Sequence, residues 1–339
     1  MGKLNNLSKN LLPKGATTER IKEDSEGQRI DNFLLKYLSR VPKSHIYQLL
    51  RSGQVRVNSK RISTKHKLQL NDLVRIPPVR TVESNTSSFK YIIKSNFILL
   101  NTLFEDDALL VINKPSGMAV HGGSGISFGV IEQLRAQHPD WKFLELVHRL
   151  DRDTSGVLLL AKKRNALVEL HRQIRDGSVD KRYLVLVKGK WRNSKQSVKF
   201  SLNKYVTASG ERRVAVVTNV DKNQKSVTAH TVFTLQDSWE KFSLLEAELK
   251  TGRTHQIRVH LAHLGFPIVG DDKYGDFLLN KMLARKDQEL SLTRMFLHSY
   301  KTTITHPLSG KRIQIEAPLA KDLQLFQKKL DIQGKLKPE

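Results

Sequence analysis

Residues 157–161, Val-Leu-Leu-Leu-Ala, form an unbroken apolar run of strand length. Such a run, bounded by a turn, reads as a buried strand. Directly ahead of it stands "VHRLDRDTSG". That stretch puts His148, Arg149, Asp151, Arg152 and Asp153 on a loop at the lip of a core strand, with Thr154-Ser155-Gly156 read as the turn. Further strand candidates are residues 109–114, 183–187, 226–233, 242–249 and 313–316. Helical spacing is found at 165–173 and 254–264. Strands come in groups with few helices between them, so the pattern predicts an α+β fold rather than a regular β-α-β wind.

The chain has 339 residues, enough for a large domain and a small one. Residues 1–24 read as a basic arm and 25–80 as a compact α/β unit. In that unit Ile30, Phe33, Leu34, Leu35 and Leu38 lie at helical spacing, and Ile46, Leu49 and Leu50 repeat it. Gly53 is placed to end the second helix, and Val55 and Val57 share one face of a strand. Residues 81–102 are rich in Ser, Thr and Asn and read as a linker. The larger domain is expected at 103–325, followed by a basic tail at 326–339.

The net charge is +25, from 58 basic against 33 acidic residues. Such an excess draws a protein to polyanions, of which nucleic acid is the usual one, although a membrane surface would also fit. The charge is concentrated. Residues 28–80 hold twelve basic residues against Asp31 and Asp72 alone. A merely solvated face mixes its signs, so this unit reads as a nucleic-acid surface, with Lys43, Arg51, Arg56, Lys60 and Arg61 as candidate contacts.

There are no cysteines, which excludes disulfides, thiolate nucleophiles, iron–sulfur clusters and cysteine-held zinc. No apolar stretch approaches the ~20 residues that span a bilayer. The N-terminus lacks the apolar core of a secretory signal, so the cytoplasm is expected. The glycine-rich "HGGSGISFG" lacks the Lys-Ser/Thr ending of a phosphate loop. His255, His260 and His263 occur without a His-Glu-x-x-His pattern, which argues against zinc. "HPLSGKR" lacks the Gly-x-Ser-x-Gly elbow of a serine hydrolase.

What remains is the charged loop. A carboxylate set among guanidiniums stays ionised and positioned, which suits a nucleophile or base better than a general acid. An ion-pair loop would account for one Asp–Arg pair. It accounts less well for charges crowded at a strand end in a chain that also carries "TGRTHQIRVH", where Arg253 and Arg258 flank a helix start.

"HRLDRDTSG" resembles the motif of the RluA family of pseudouridine synthases. So do "VINKPSGMAVHGG" (111–123), "KRYLVLVKG" (181–189), "GRTHQIRVHLAHLGFPIVGDDKYG" (252–275) and "HPLSGKRIQIEAPLA" (306–320). The small unit resembles an S-four-like RNA-binding domain in "QRIDNFL" and "PKSHIYQLLRSGQVRVN". "VPKSHIYQLLRSGQVRVN" and "GGSGISFGVIEQLRA" are most similar to the RluC branch, which acts on bacterial large-subunit ribosomal RNA.

The resemblance implies a catalytic domain with a mixed, mainly antiparallel sheet. It implies site-specific isomerisation of uridine to pseudouridine in 23S rRNA by a monomer, with no cofactor, metal or membrane partner. Free rRNA and an assembling large-subunit particle are both open as the substrate. Asp151 takes the catalytic position, and its addition to uracil C6, attack on C1′ and action as a base at C2′ all stay open. Arg258 would hold Asp151 in a two-pronged pair, Tyr183 would lie against the base, and Arg149 would fill the space of a flipped base or touch phosphate. A non-catalytic assembly factor, an RNA methyltransferase and a tRNA-directed synthase are the competing readings.

Overall fold

A computed structural model describes residues 15–38, 41–79, 99–122, 128–217, 226–285 and 287–335. Most of the expected arm and linker, Arg40, Arg80, the centre of the glycine-rich loop and the last four residues lie outside them. The chain divides into two compact units, Met1–Asn96 and Phe97–Glu339.

In the first unit, β1 (Thr17–Arg20) is followed by α1 (Ile30–Tyr37), α2 (Lys43–Arg51), β2 (Arg56–Val57), β3 (Lys60–Arg61) and β4 (Leu73–Ile76). The strands pair antiparallel in the order β1-β4-β2-β3. Ile30, Leu34, Ile46, Leu50, Val55 and Val57 interlock with Val74 and Ile76 in one core. Each such side chain contributes roughly 1.5–3 kcal/mol on burial, which is why helices this short hold. Gly53 ends α2 at φ 74°, where its N–H reaches Leu50 O and that of Gln54 reaches Leu49 O.

The second unit carries β5 (Asn101–Glu105), β6 (Leu109–Lys114), α3 (Val130–Gln137), β7 (Glu145–Leu146), β8 (Ser155–Ala161) and α4 (Arg164–Arg175). Next come β9 (Asp180–Lys188), β10 (Lys195–Val206), β11 (Arg212–Val216), β12 (Val227–Ser238) and β13 (Phe242–Leu249). It closes with α5 (Gln256–His263), α6 (Phe277–Leu283), β14 (Leu297–Thr305), β15 (Arg312–Glu316) and α7 (Lys321–Gly334). The strands form one sheet in the order β11-β10-β12-β13-β9-β14-β8-β6-β5, with β15 beside β14 and β7 beside β8. Among the described strands, only β14 and β8 pair in parallel. The fold is therefore α+β with a mixed, mainly antiparallel sheet.

All seven residues of β8 are buried. Its even-numbered side chains, Leu158 and Leu160, face one core cluster, and Val157, Leu159 and Ala161 face another. The apolar run is thus covered on both sides, and β8 lies inside the sheet, between β14 and β6.

The turn assignment needs correction. Ser155 and Gly156 belong to β8, and the chain turns at Arg152 and Asp153. Gly156, at φ 110°, pairs with Ser299 on β14. A Cβ there would stand 2.1 Å from Ser299 O. The glycine serves close strand approach, not chain reversal.

Candidate active site

The loop 147–154 is held from three sides. Val147 N–H donates to Leu159 O at 3.0 Å, and Leu159 N–H donates to His148 Nε2 at 3.1 Å. The imidazole thus extends the β7–β8 ladder where the backbone leaves it. Desolvation pushes His148 down to about 3, with the charge of Lys181 adding to it, so the ring is neutral and able to accept. Leu150 anchors the loop in the core, at 5% exposure.

The third hold is Lys114, at the end of β6. Its fully buried ammonium donates to Pro115 O, Met118 O and Arg152 O at 2.8–2.9 Å. Ser116 Oγ donates to Asp153 O at 2.7 Å, and Gly117 N–H to Arg152 O at 2.9 Å. The Lys-Pro-Ser-Gly turn therefore grips the backbone next to Asp151. Burial lowers the Lys114 ammonium to about 7.

Asp151 is left with its carboxylate 20% exposed at the strand mouth. Arg258 Nη1 reaches its Oδ2 at 3.4 Å. The expectation that the guanidinium fork closes on Asp151 is not met. The fork closes on Asp271: Nε and Nη2 donate to its two oxygens at 2.7 Å each. Nη2 also reaches Asp272 at 3.2 Å. Burial opposes the Arg258 charge, but Asp271, Asp151 and Asp272 outweigh it and hold the guanidinium above its ordinary value. Burial likewise opposes the Asp271 carboxylate. Arg258, together with the N–H groups of Lys273 and Tyr274, brings it below the usual range.

Tyr183, on β9, is 5% exposed. Burial raises its hydroxyl to about 12, and the Asp151 charge adds to the rise, so the phenol stays protonated. Arg149 is exposed, and among the described residues its guanidinium has no ion-pair partner. Arg152 and Asp153 pair with each other at 3.2 Å, so an ion-pair loop accounts for those two and not for Asp151. Arg253 donates to Thr228 O and stays exposed. No group of three or more His, Asp or Glu is placed to hold a metal among the described residues.

The small unit presents a second candidate surface. The two acids of residues 28–80 are spent inside it. Asp31 accepts from Arg29, Tyr47 and Asn32, Asp72 accepts from Asn58 and Gln69, and both are buried. Lys43, Arg51, Arg56, Lys60 and Arg61 are all exposed, with no carboxylate partner among the described residues. Arg56 stands directly opposite Arg61 on β3 and Arg75 on β4. Like charges facing one another across a sheet cost stability unless an anion lies over them. Arg75 was not among the contacts legible in the sequence, because only the register brings it beside Arg56.

Residues 108–263 match the RNA pseudouridylate synthase family, and residues 28–74 match the S4 domain. The ribosomal large subunit pseudouridine synthase C of Pasteurella multocida (strain Pm70) is 50% identical over 305 residues, 90% of each chain. Its namesake from Escherichia coli (strain K12) is 48% identical over 311 residues, 91% of this chain and 95% of that one. This chain belongs to the RNA pseudouridine synthase family. The fold agrees: the human RNA Pseudouridylate Synthase Domain Containing 4 superposes with TM-score 0.55 at 23% identity, over 70% of this chain and 95% of that chain. The pseudouridine synthase match takes in Lys114, Asp151, Tyr183 and Arg258 and ends at His263. Asp271, which holds Arg258, lies beyond it. A buried arginine needs more than one partly exposed carboxylate to offset its desolvation, and that need was the signal that could have pointed to the aspartates of "GDDKYG".

Proposed function

We propose that this pseudouridine synthase isomerises specific uridines in bacterial 23S rRNA, through Asp151 and without a cofactor. The observation that carries the reading is a partly exposed carboxylate, 3.4 Å from an arginine that is itself locked by a second, fully buried carboxylate. The reaction breaks the N1–C1′ bond, turns the uracil and joins C1′ to C5. A proton leaves C5 and one is gained at N1. Nothing is oxidised and no group is added, so the step balances with the substrate alone.

Asp151 is the group that acts on the electrophilic uridine. Arg258 keeps it aimed. Tyr183 lends a ring face for the uracil and a protonated hydroxyl. Exposed Arg149 takes the space left by the flipped base or a neighbouring phosphate. Flipping costs roughly a few kcal/mol, so the target sits in a loop or bulge. The names of the relatives, both large-subunit enzymes similar over nine-tenths of the chain, favour ribosomal RNA as the substrate. Purified protein should release tritium from 23S rRNA labelled at uridine C5, and not from tRNA. Release from tRNA alone would overturn the substrate assignment.

In the small unit, Lys43, Arg51, Arg56, Lys60 and Arg61 act with Arg75 as phosphate contacts. Replacing Arg56, Arg61 and Arg75 together by Gln should flatten the log–log salt dependence of rRNA binding by about 2, if each contact contributes about 0.7–0.9. Thermal stability should hold or rise, because the row of like charges is gone. An unchanged slope would remove this face from the RNA interface.

A further inference from the structure

His255 has a backbone that a non-glycine residue rarely adopts. It stands at φ 54°, ψ 21°, immediately before α5. The other described non-glycine residues with positive φ are Asn58, Ser59 and Asn71, all in turns of the small unit. A left-handed residue costs about 1 kcal/mol, and histidine tolerates it less readily than asparagine. Such strain is retained where the surroundings over-determine it.

The strain has a geometric result. It brings Nε2 of His255 within 3.9 Å of Oδ2 of Asp151, and Nδ1 within 2.9 Å of the Tyr274 hydroxyl. Tyr274 is itself fixed. Its oxygen accepts Val214 N–H at 2.9 Å, its ring meets His255 edge-on at 5.5 Å, and Arg258 Cζ lies 5.2 Å from its ring centre. Val214 takes one lone pair of the oxygen, and we assign the hydroxyl proton to Nδ1. The neutral ring then carries its own proton on Nε2, facing Asp151. Burial lowers His255 from its usual value and favours that neutral form, with Asp151 and Asp271 opposing and Arg258 and Lys273 supporting.

Arg258 Nη1 and His255 Nε2 converge on one atom, Oδ2. We propose that His255 is a positioning residue which, together with Arg258, holds Oδ2 of Asp151 and leaves Oδ1 as the oxygen presented to the uridine. This rests on the reading of Asp151 as the reacting carboxylate. At 3.9 Å the His255 contact is longer than a hydrogen bond. It limits rotation of the carboxylate by a directed N–H dipole rather than by a formed bond.

Two substitutions separate position from mere filling. Asparagine favours the left-handed backbone and can accept the Tyr274 hydroxyl near the Nδ1 position, but it cannot reach Asp151. Glutamine places an N–H near the Nε2 position. His255→Asn should keep its melting temperature and RNA affinity and lose about 10–100-fold in single-turnover rate at saturating RNA. His255→Gln should stay within about tenfold of wild type. The pH profile gives a readout that packing alone would not move. In wild type the rate should fall on the acid side of the usual imidazole range, since burial lowers His255, as the ring gains a proton and draws Asp151 into an ion pair. That limb should be absent in His255→Gln, where Asp151, Arg258, Lys273, Asp271 and Tyr274 still face the site.

Should His255→Asn fold poorly, Tyr274→Phe tests the same point. It releases the tautomer and should lower the rate without changing RNA affinity. Wild-type rates in His255→Asn and Tyr274→Phe would overturn the role of His255. Equal losses in the Asn and Gln variants would overturn it too, by showing that shape and not the donor matters. No turnover by unaltered protein on 23S rRNA would instead overturn the activity on which the proposal rests.

Discussion

Asp151→Asn is expected to lower the single-turnover rate on 23S rRNA by ~10³-fold or more, with melting temperature and RNA affinity close to wild type. The two parts of that result have different causes. Asparagine keeps the shape of the side chain but is neither a nucleophile nor a base, so no route through C6, C1′ or C2′ survives the change. Folding survives because little depends on this carboxylate. It is 20% exposed and takes one long contact from Arg258, whose charge remains paired with Asp271 at 2.7 Å. The loop is carried by its backbone, through Lys114, Ser116 and the His148 ring. Circular dichroism melts and filter binding, run beside the rate measurement, check both halves. A rate within tenfold of wild type would remove Asp151 from the centre of the mechanism.

Arg258→Lys should give a different signature, with rate and stability falling together. Three carboxylates converge on the guanidinium of Arg258, and one of them, Asp271, is fully buried. An ammonium has the charge but not the planar fork, so it cannot serve both oxygens of Asp271 and still reach Asp151. Asp271 retains the N–H groups of Lys273 and Tyr274, which limits the damage. The expected cost is about 1–3 kcal/mol of stability, below the 3–5 kcal/mol of a buried pair broken outright. The rate should fall by ~10²-fold, because Asp151 loses its aim. Thermal denaturation and single-turnover kinetics measure the two effects. A near-wild-type rate would mean that charge alone suffices at this position.

The parts of the molecule most legible in the sequence are those governed by local periodicity. The core faces of α1 and α2 follow directly from Ile30, Leu34, Ile46 and Leu50. The strand 242–249 has the bounds its apolar pattern predicts. The hairpin of β10 and β11 was not legible, because polar residues such as Lys195, Lys199 and Lys204 interrupt its apolar spacing. β14 was missed as well. Its Thr302, Thr303 and His298 are buried by neighbouring strands, an outcome decided by tertiary pairing and not by residue type.

The site was legible in its residue types and not in its connections. The crowding of charge at Asp151 was visible, but Lys114 lies 37 residues before it and Asp271 lies 120 after it. Buried polar contacts between such distant segments leave no periodic trace. The same limit explains why the fork of Arg258 was assigned to the wrong carboxylate. Charge complementarity says that an arginine needs a partner, and only packing says which one. His255 was weighed as a metal ligand, since a sequence does not display a left-handed backbone at a non-glycine residue.

The central claim, that this chain makes pseudouridine in large-subunit rRNA through Asp151, is tested most directly by mapping pseudouridine in total RNA. Cells lacking the gene would be compared with the same cells carrying the wild-type or the Asp151→Asn chain. The account predicts that discrete 23S rRNA positions lose pseudouridine on deletion, regain it with the wild-type chain and stay unmodified with Asp151→Asn. Unchanged 23S rRNA on deletion, or full restoration by Asp151→Asn, would contradict it.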